Sequence, residues 1–502
     1  MNRIVFCTGT SCIIVGLCVS LGTVVVAAEA SRPSGRAVLQ RVGSDSQATS
    51  VVARIGDHTI TREELVPKIL QEIRPREEEY HRQTGPVTAK AVLRRMIAEK
   101  ATSIEGRRLG YLQDEQIRVN ILQFEQQQLV GRLLQAELGD RLTVEDSEID
   151  LVMKDNPKTT REQARAFVQR SKVTRLREQF FAEVCEKRGL KKRSENFAKA
   201  AAIHQRLLTQ PVQPRGQSEY WIKNSQITTD LSEEEKTLLL AVYEGGQFTL
   251  KDWFQSLCNL APPRRPKDLG TAQGVEKLLD MALLVPVFAA EARSRGYDQD
   301  AKLRSDVKAL EDQRLLYKMQ EEKTKNITEP TAEQVKEHFE RNPERFATDA
   351  IVKADQIWCP DAETARKLKG MLDEGADFQT VKTAHSLQKD VEVYTLSAGS
   401  EGLFWSDVWK GEPNQVLGPM PGFYGSGAKW RIVKVLEKTP AKVQPFSEQL
   451  ASSIKWALYA EWRRQAVRDF EQELLEKYPH EVFSGRIKDL DPLEIAMQQQ
   501  DK

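Results

Sequence analysis

Cysteine and histidine are scarce in this chain, and neither forms a cluster. Of six cysteines in 502 residues, Cys7, Cys12 and Cys18 lie close to the N-terminus. Cys185, Cys258 and Cys359 are too scattered to form a disulfide framework. No CxxC or HExxH spacing occurs, so the common zinc sites have no support and no metal or cofactor is expected. None of the six histidines accompanies a serine or cysteine nucleophile, which argues against a hydrolytic triad. A glycine-rich phosphate loop is also missing. Charge of one sign is lacking as well: 74 Lys and Arg face 73 Asp and Glu, so no bulk field selects nucleic acid or an anionic membrane.

Long apolar runs are confined to one place. Arg3 precedes a largely apolar stretch from Ile13 to Ala28, and Ala28-Glu29-Ala30 offers small residues for cleavage. Residues 1–30 are therefore expected to be a Sec-type secretory signal, with an uncleaved membrane anchor as the alternative. Leu17 precedes Cys18 where a lipoprotein site wants a small residue, so lipidation is not expected. Residues 31–50, rich in Ser, Gly and Arg, read as a disordered leader.

What the chain does have is an internal echo. Residues 105–157 and 291–343 align without a gap at an offset of 186 and share twelve identities. Among them are Glu105/Glu291, Gly110/Gly296, Tyr111/Tyr297, Asp114/Asp300 and Pro157/Pro343. Upstream, RIGDHTITREEL (54–65) matches EGGQFTLKDWF (244–254) in type: a tight turn, then Thr61 or Thr249 as the N-cap of a helix. Each segment then predicts a long helix closing on Gly110 or Gly296, a second long helix, and a short one ending at Asn-Pro. Duplication of one helical unit is the expectation, with a first unit at 51–208 and a second at 220–348.

After the Asn-Pro the twins diverge. The first continues straight into a helix near 160–190, whereas in the second a comparable helix begins only at Pro445. The intervening 349–440 carries strand candidates IVKADQIW and KWRIVKVLE, two short helices (361–374 and 377–386) and Gly/Pro-rich turns. It reads as an α+β domain inserted into the second unit. The return helix, within 441–480, is expected to pack on that same second unit, leaving 481–502 as a tail. The fold class is thus mainly α with an inserted α+β domain.

Within the insert, VKADQIW (352–358), ETARKLKGMLDEGADF (363–378), KGEPNQVLGP (410–419) and KWRIVKVLEKTP (429–440) follow in that order. This order resembles the parvulin-type peptidyl-prolyl isomerase domain of SurA- and PrsA-like exported chaperones. The signal, the RIGDHTITREEL opening and the QPFSEQL-led return helix fit the same frame. The resemblance implies two SurA-N-like helical chaperone units, the second carrying a parvulin-like domain. It also implies a periplasmic or other extracytoplasmic location and unfolded or nascent exported polypeptides as partners.

In that family a polar network beneath the proline site centres on two histidines, one in the first strand and one in the last. The corresponding positions here read Gln356 and Arg431, and a Gly-Gly-acidic-Leu-Gly-Trp turn is replaced by YTLSAGSEGLFW (394–405). Arginine stays charged and does not mimic a neutral imidazole. His385, the histidine of the insert, is expected to be structural or solvated. The expected function is a holdase chaperone with weak or absent isomerase activity; an active isomerase and an adaptor for one fixed partner are the alternatives. Trp405, Met420, Phe423 and Tyr424 are the expected lining of a shallow peptide groove, because aromatics and Met suit promiscuous apolar binding.

Overall fold

The computed structural model describes residues 50–73, 87–213, 221–425 and 427–498. The expected signal and nearly all of the expected leader lie outside them. The strands are β1 (Val51–Ile55), β2 (His58–Thr61), β3 (Lys191–Lys192), β4 (Leu239–Tyr243), β5 (Gly246–Thr249), β6 (Ile351–Cys359), β7 (Tyr394–Ser397), β8 (Val416–Tyr424), β9 (Gly427–Thr439) and β10 (His480–Val482). Most of the remainder is helical.

The twin stretches adopt matching local structure. Hairpin β1–β2 turns on Gly56 and β4–β5 on Gly245, both at positive φ, where a side chain would be strained. Thr61 and Thr249 each cap a helix, Arg62–Ile73 and Leu250–Asn259, through reciprocal bonds with Glu64 and Asp252. Helices Ala89–Arg108 and Ala272–Ser294 both run into a left-handed glycine, Gly110 (φ 79°) or Gly296 (φ 78°). A short 3-10 turn follows, and Asp114 or Asp300 then accepts backbone N–H bonds at the start of the next helix, Glu115–Leu138 or Ala301–Thr324. Glycine in the hairpin, threonine as cap, glycine at the helix end and aspartate at the next N-terminus therefore build the same joint twice.

Packing does not follow the twins. One compact unit is contiguous, residues 114–311; the other joins 50–113 to 312–498. In the contiguous unit, hairpin β4–β5 and helix Ala272–Ser294 come from the second twin. They pack with helices Glu115–Leu138 and Arg161–Lys187 of the first around Leu133, Phe180, Trp253 and Phe288. Strand β3, which follows the first twin's return helix, completes a β3-β4-β5 sheet. In the other unit the roles are reversed. Helix Ala89–Arg108 shares a core with Met319, Phe470 and Leu474, and β10 pairs with β1 in a β10-β1-β2 sheet.

The expectation that the return helix packs on the second unit is corrected by this exchange. The first half of helix Glu448–Lys477 does lie beside second-twin residues, where Arg463 meets Thr324 Oγ1 at 3.1 Å. Its second half and β10, however, close the first twin's hairpin. The reason is edge pairing: β1 has an open edge, and β10 satisfies its backbone donors and acceptors. The contiguous boundaries 51–208 and 220–348 are corrected with it. So is the tail: helix Pro492–Gln498 seats Ala496 in a small core with Ile73 and Ala428.

A single buried acid anchors each return helix. Glu291, fully buried, accepts from Lys187 at 2.7 Å and Arg188 at 2.9 Å, residues that end the first return helix, and from Arg295 at 2.7 Å. Its twin Glu105 accepts from Lys477 at 2.8 Å and Tyr478 at 2.6 Å, which end the second, and from Arg108 at 2.8 Å. Burial alone would raise the Glu291 carboxyl. Lys187, Arg295 and Arg188 outweigh it and hold it at about 2. Arg108 first, then Lys477 and Tyr478, hold Glu105 well below the usual carboxylate range.

The insert forms one antiparallel sheet in the order β7-β6-β9-β8. Helices Ala362–Asp373 and Phe378–His385 cover one face through Leu368, Phe378, Ile357 and Ile432. Val352, Ala354, Leu396, Val433 and Val435 make the core of the other. Of the Gly/Pro-rich stretches expected as turns, residues 419–424 belong instead to strand β8. It lies at the sheet edge, where proline's missing N–H is tolerated.

Removing a partner from a buried ion cluster costs about 3–5 kcal/mol, because the charges left behind are unpaired. Glu291→Ala should therefore lower the urea midpoint sharply. The Glu291 pKa is depressed on folding, so its contribution is complete above the ordinary carboxylate value of 4.5 and is lost as pH falls toward 2. Urea titrations from pH 5 to pH 2 should show the variant losing less additional stability than the native chain over that window.

Candidate functional site

Strand β6 is buried on both faces, so its alternation is invisible in the sequence but governs the site. Odd-numbered side chains meet the helices: Asp355 pairs with Lys382 of helix Phe378–His385, each side chain only 2% exposed. Lys382 Nζ also donates to the Val391 carbonyl at 2.6 Å. Even-numbered Gln356 and Trp358 share the opposite face with Arg431, because Trp358 stands directly across from Arg431 in the β6–β9 register.

Arg431 is 1% exposed and organises that face. Its Nη1 donates to Gln356 Oε1 at 2.8 Å, its Nη2 pairs with Glu401, and its guanidinium carbon lies 5.3 Å from the Trp358 ring centroid. The side chain crosses β8 over Gly422, where an added Cβ would fall 2.3 Å from Arg431 Nε. Glycine is required there by that close approach. Glu401 ends the short helix Ala398–Glu401, which Ser397 caps.

These groups floor a cavity of about 570 Å³ bounded also by Tyr394, Phe423 and Tyr424. Tyr424 packs on Trp358 with ring centroids 5.1 Å apart, and Phe423 on Phe404 at 4.9 Å. At the cavity floor Arg431 Nε is a buried donor without a hydrogen-bond partner, and the Tyr394 hydroxyl and Trp358 Nε1 interact with each other. Burial pushes the Tyr394 hydroxyl up, so it remains a protonated donor. The cavity thus joins an aromatic wall to a floor of donors, a suitable receptor for a peptide carbonyl. No side chain at this floor is an imidazole that could pass a proton.

Of the expected groove residues, Phe423 and Tyr424 reach the cavity. Trp405 and Met420 do not. Trp405 stacks on Trp409 at 5.3 Å, and both Trp405 and Met420 pack against the Val352–Val433 core. Phe423 does double duty, since it also packs on the Ile73–Ala496 cluster. His385 is exposed at the end of its helix. Glu401 and Tyr394 escaped the sequence reading, although Gly399-Ser400-Glu401 retains a small-small-acidic order from which the acid was legible.

Glu401→Leu should strand the Arg431 charge and destabilise the inserted domain by about 3 kcal/mol or more. Arg431→Met with Glu401→Leu should recover much of that loss. Tryptophan-monitored urea unfolding of the full chain measures both; equal destabilisation in single and double variants would contradict the ion-pair account.

Residues 330–449 match the family of the PPIC-type PPIASE domain. A search of curated proteins finds no match. Among solved structures, the chain is similar to a SurA-like chaperone of Campylobacter jejuni, with 15% identity, 41% of this chain and 84% of that one covered, and a TM-score of 0.21. Bacillus anthracis PrsA gives 19% identity, 37% and 84% coverage and 0.20. The foldase PrsA of Streptococcus pneumoniae gives 17%, 45% and 80%, and 0.24. TM-scores this low define no shared whole-chain arrangement. What the comparisons establish is that residues 330–449 of this chain are similar to the PPIC-type PPIASE domain.

Proposed function

We propose that this protein is an exported chaperone that holds unfolded or translocating polypeptides outside the cytoplasm, and that its parvulin-like cavity binds peptide with little or no isomerase activity. One observation carries the second half: Arg431 is ion-paired to Glu401 and bonded to Gln356, the two residues Gln356 and Arg431 standing where the resemblance expects histidines. An X–Pro bond crosses a barrier of roughly 20 kcal/mol, and catalysis must favour the twisted amide over the planar one. A guanidinium already committed to Glu401 and Gln356 has little left to offer selectively to that state. The remaining donors hold a planar carbonyl as well as a twisted one, which is binding without acceleration.

Export rests on the signal-like N-terminus, with membrane anchoring as the other form. Among the described residues no helix is long and apolar enough to cross a membrane. Duplication of the helical unit supports the holdase half, since a second binding surface on one chain raises avidity. An active isomerase is the competing reading, favoured by the Tyr394 hydroxyl and Trp358 Nε1 donors at the cavity wall.

The native chain should accelerate isomerisation of a proline tetrapeptide barely above the uncatalysed rate while suppressing aggregation of several unrelated unfolded proteins. Burying an aromatic ring is worth about 1.5–3 kcal/mol, and ~1.4 kcal/mol is tenfold in affinity. Tyr424→Ala should therefore weaken binding of a labelled proline-containing peptide about tenfold. Isomerase rates typical of an active parvulin would reverse this reading.

A further inference from the structure

The contiguous unit holds a second cavity, about 530 Å³, with no counterpart in the function proposed above. Helix Phe197–Thr209 supplies His204 and Leu208, helix Leu250–Asn259 supplies Leu257, and Trp221 and Ile222 close one side. The loop from Pro262 to Thr271 forms the rest. This gives the cavity an apolar base and an edge bearing Arg265 and Lys267.

Two features mark it as built for a ligand. His204 is 6% exposed, and its Nδ1 has no hydrogen-bond partner. Burial, followed by the nearby Arg265 charge, brings it down to about 4, so the ring is neutral at ordinary pH. Arg265 spends Nε on the Leu260 carbonyl at 2.8 Å and makes no ion pair among the described residues. Lys267 makes none either. The acid at the edge, Asp268, is already paired with Lys277 at 2.7 Å, so it does not neutralise them. Thr271 caps the 23-residue helix Ala272–Ser294, whose positive dipole end adds to the same field.

We propose that this cavity binds an unfolded-chain segment that carries a large apolar side chain next to a carboxylate. The side chain would sit on Leu208, Ile222 and Leu257, and the carboxylate would face Arg265 and Lys267. The inference rests on the chaperone reading and gives it a substrate preference. An internal Asp and a chain terminus present the same chemistry, and the test separates them.

Fluorescence anisotropy on the full chain provides that test. The probe is a labelled hexapeptide with central Leu-Phe-Asp and an amidated end, set against Leu-Phe-Asn and Leu-Phe-Lys versions and one ending in a free Phe carboxylate. A carboxylate-bearing probe should bind about tenfold more tightly than the Lys version. Tight binding by only the free-ended probe assigns the site to chain termini; binding by the internal Asp probe assigns it to acidic segments. Arg265→Gln and the surface change Lys267→Gln should each reduce the preference, while Tyr424→Ala in the other cavity should leave it intact. A charge preference unaffected by both substitutions, or no preference at all, overturns the proposal while aggregation suppression still supports the chaperone reading. Loss of binding and of aggregation suppression together would remove both.

Discussion

Two buried glutamates hold this architecture together. Glu291 and Glu105 occupy equivalent places in the twin segments, and each receives the end of the return helix that belongs to the opposite twin. A carboxylate removed from water is costly unless several donors converge on it. Only a docked return helix delivers enough of them. The acid therefore tests whether the exchange has been completed, and the β3 and β10 pairings extend the same closure into the sheets.

Much of the local structure was legible because it depends on local chemistry. The Thr caps, the left-handed glycines and the Asp114 and Asp300 N-termini follow from rules that operate within a few residues. Exchange was not legible. Equivalent helices have similar apolar stripes by descent or resemblance, so the pattern alone does not say which partner a stripe meets. Glu105/Glu291 was visible as an identity, but an acid in a charged helix looks solvated until its donors are placed around it.

The inserted domain repeats this contrast. Its first and last strands and both helices were readable from apolar pattern, and Asp361 and Asp377 cap the two helices in the structure. Strand β8 was obscured by its prolines and glycines. Arg431 was identified as a departure from the family, yet its partner Glu401 was not. The ion pair joins residues thirty positions apart through a turn of unusual sequence. Trp405 was misplaced because aromatic residues in a small domain fill its core before they line its surface.

The exchanged topology also imposes an order on folding as the chain emerges. Residues 114–311 are contiguous, so their unit can close before the C-terminal segment has emerged. The hairpin β1–β2 and helix Ala89–Arg108 must wait until helix Glu448–Lys477 and β10 exist. That wait spans every residue between them. During it, an open strand edge and an apolar helix face stay uncovered, which are the features that a chaperone is asked to shield in others.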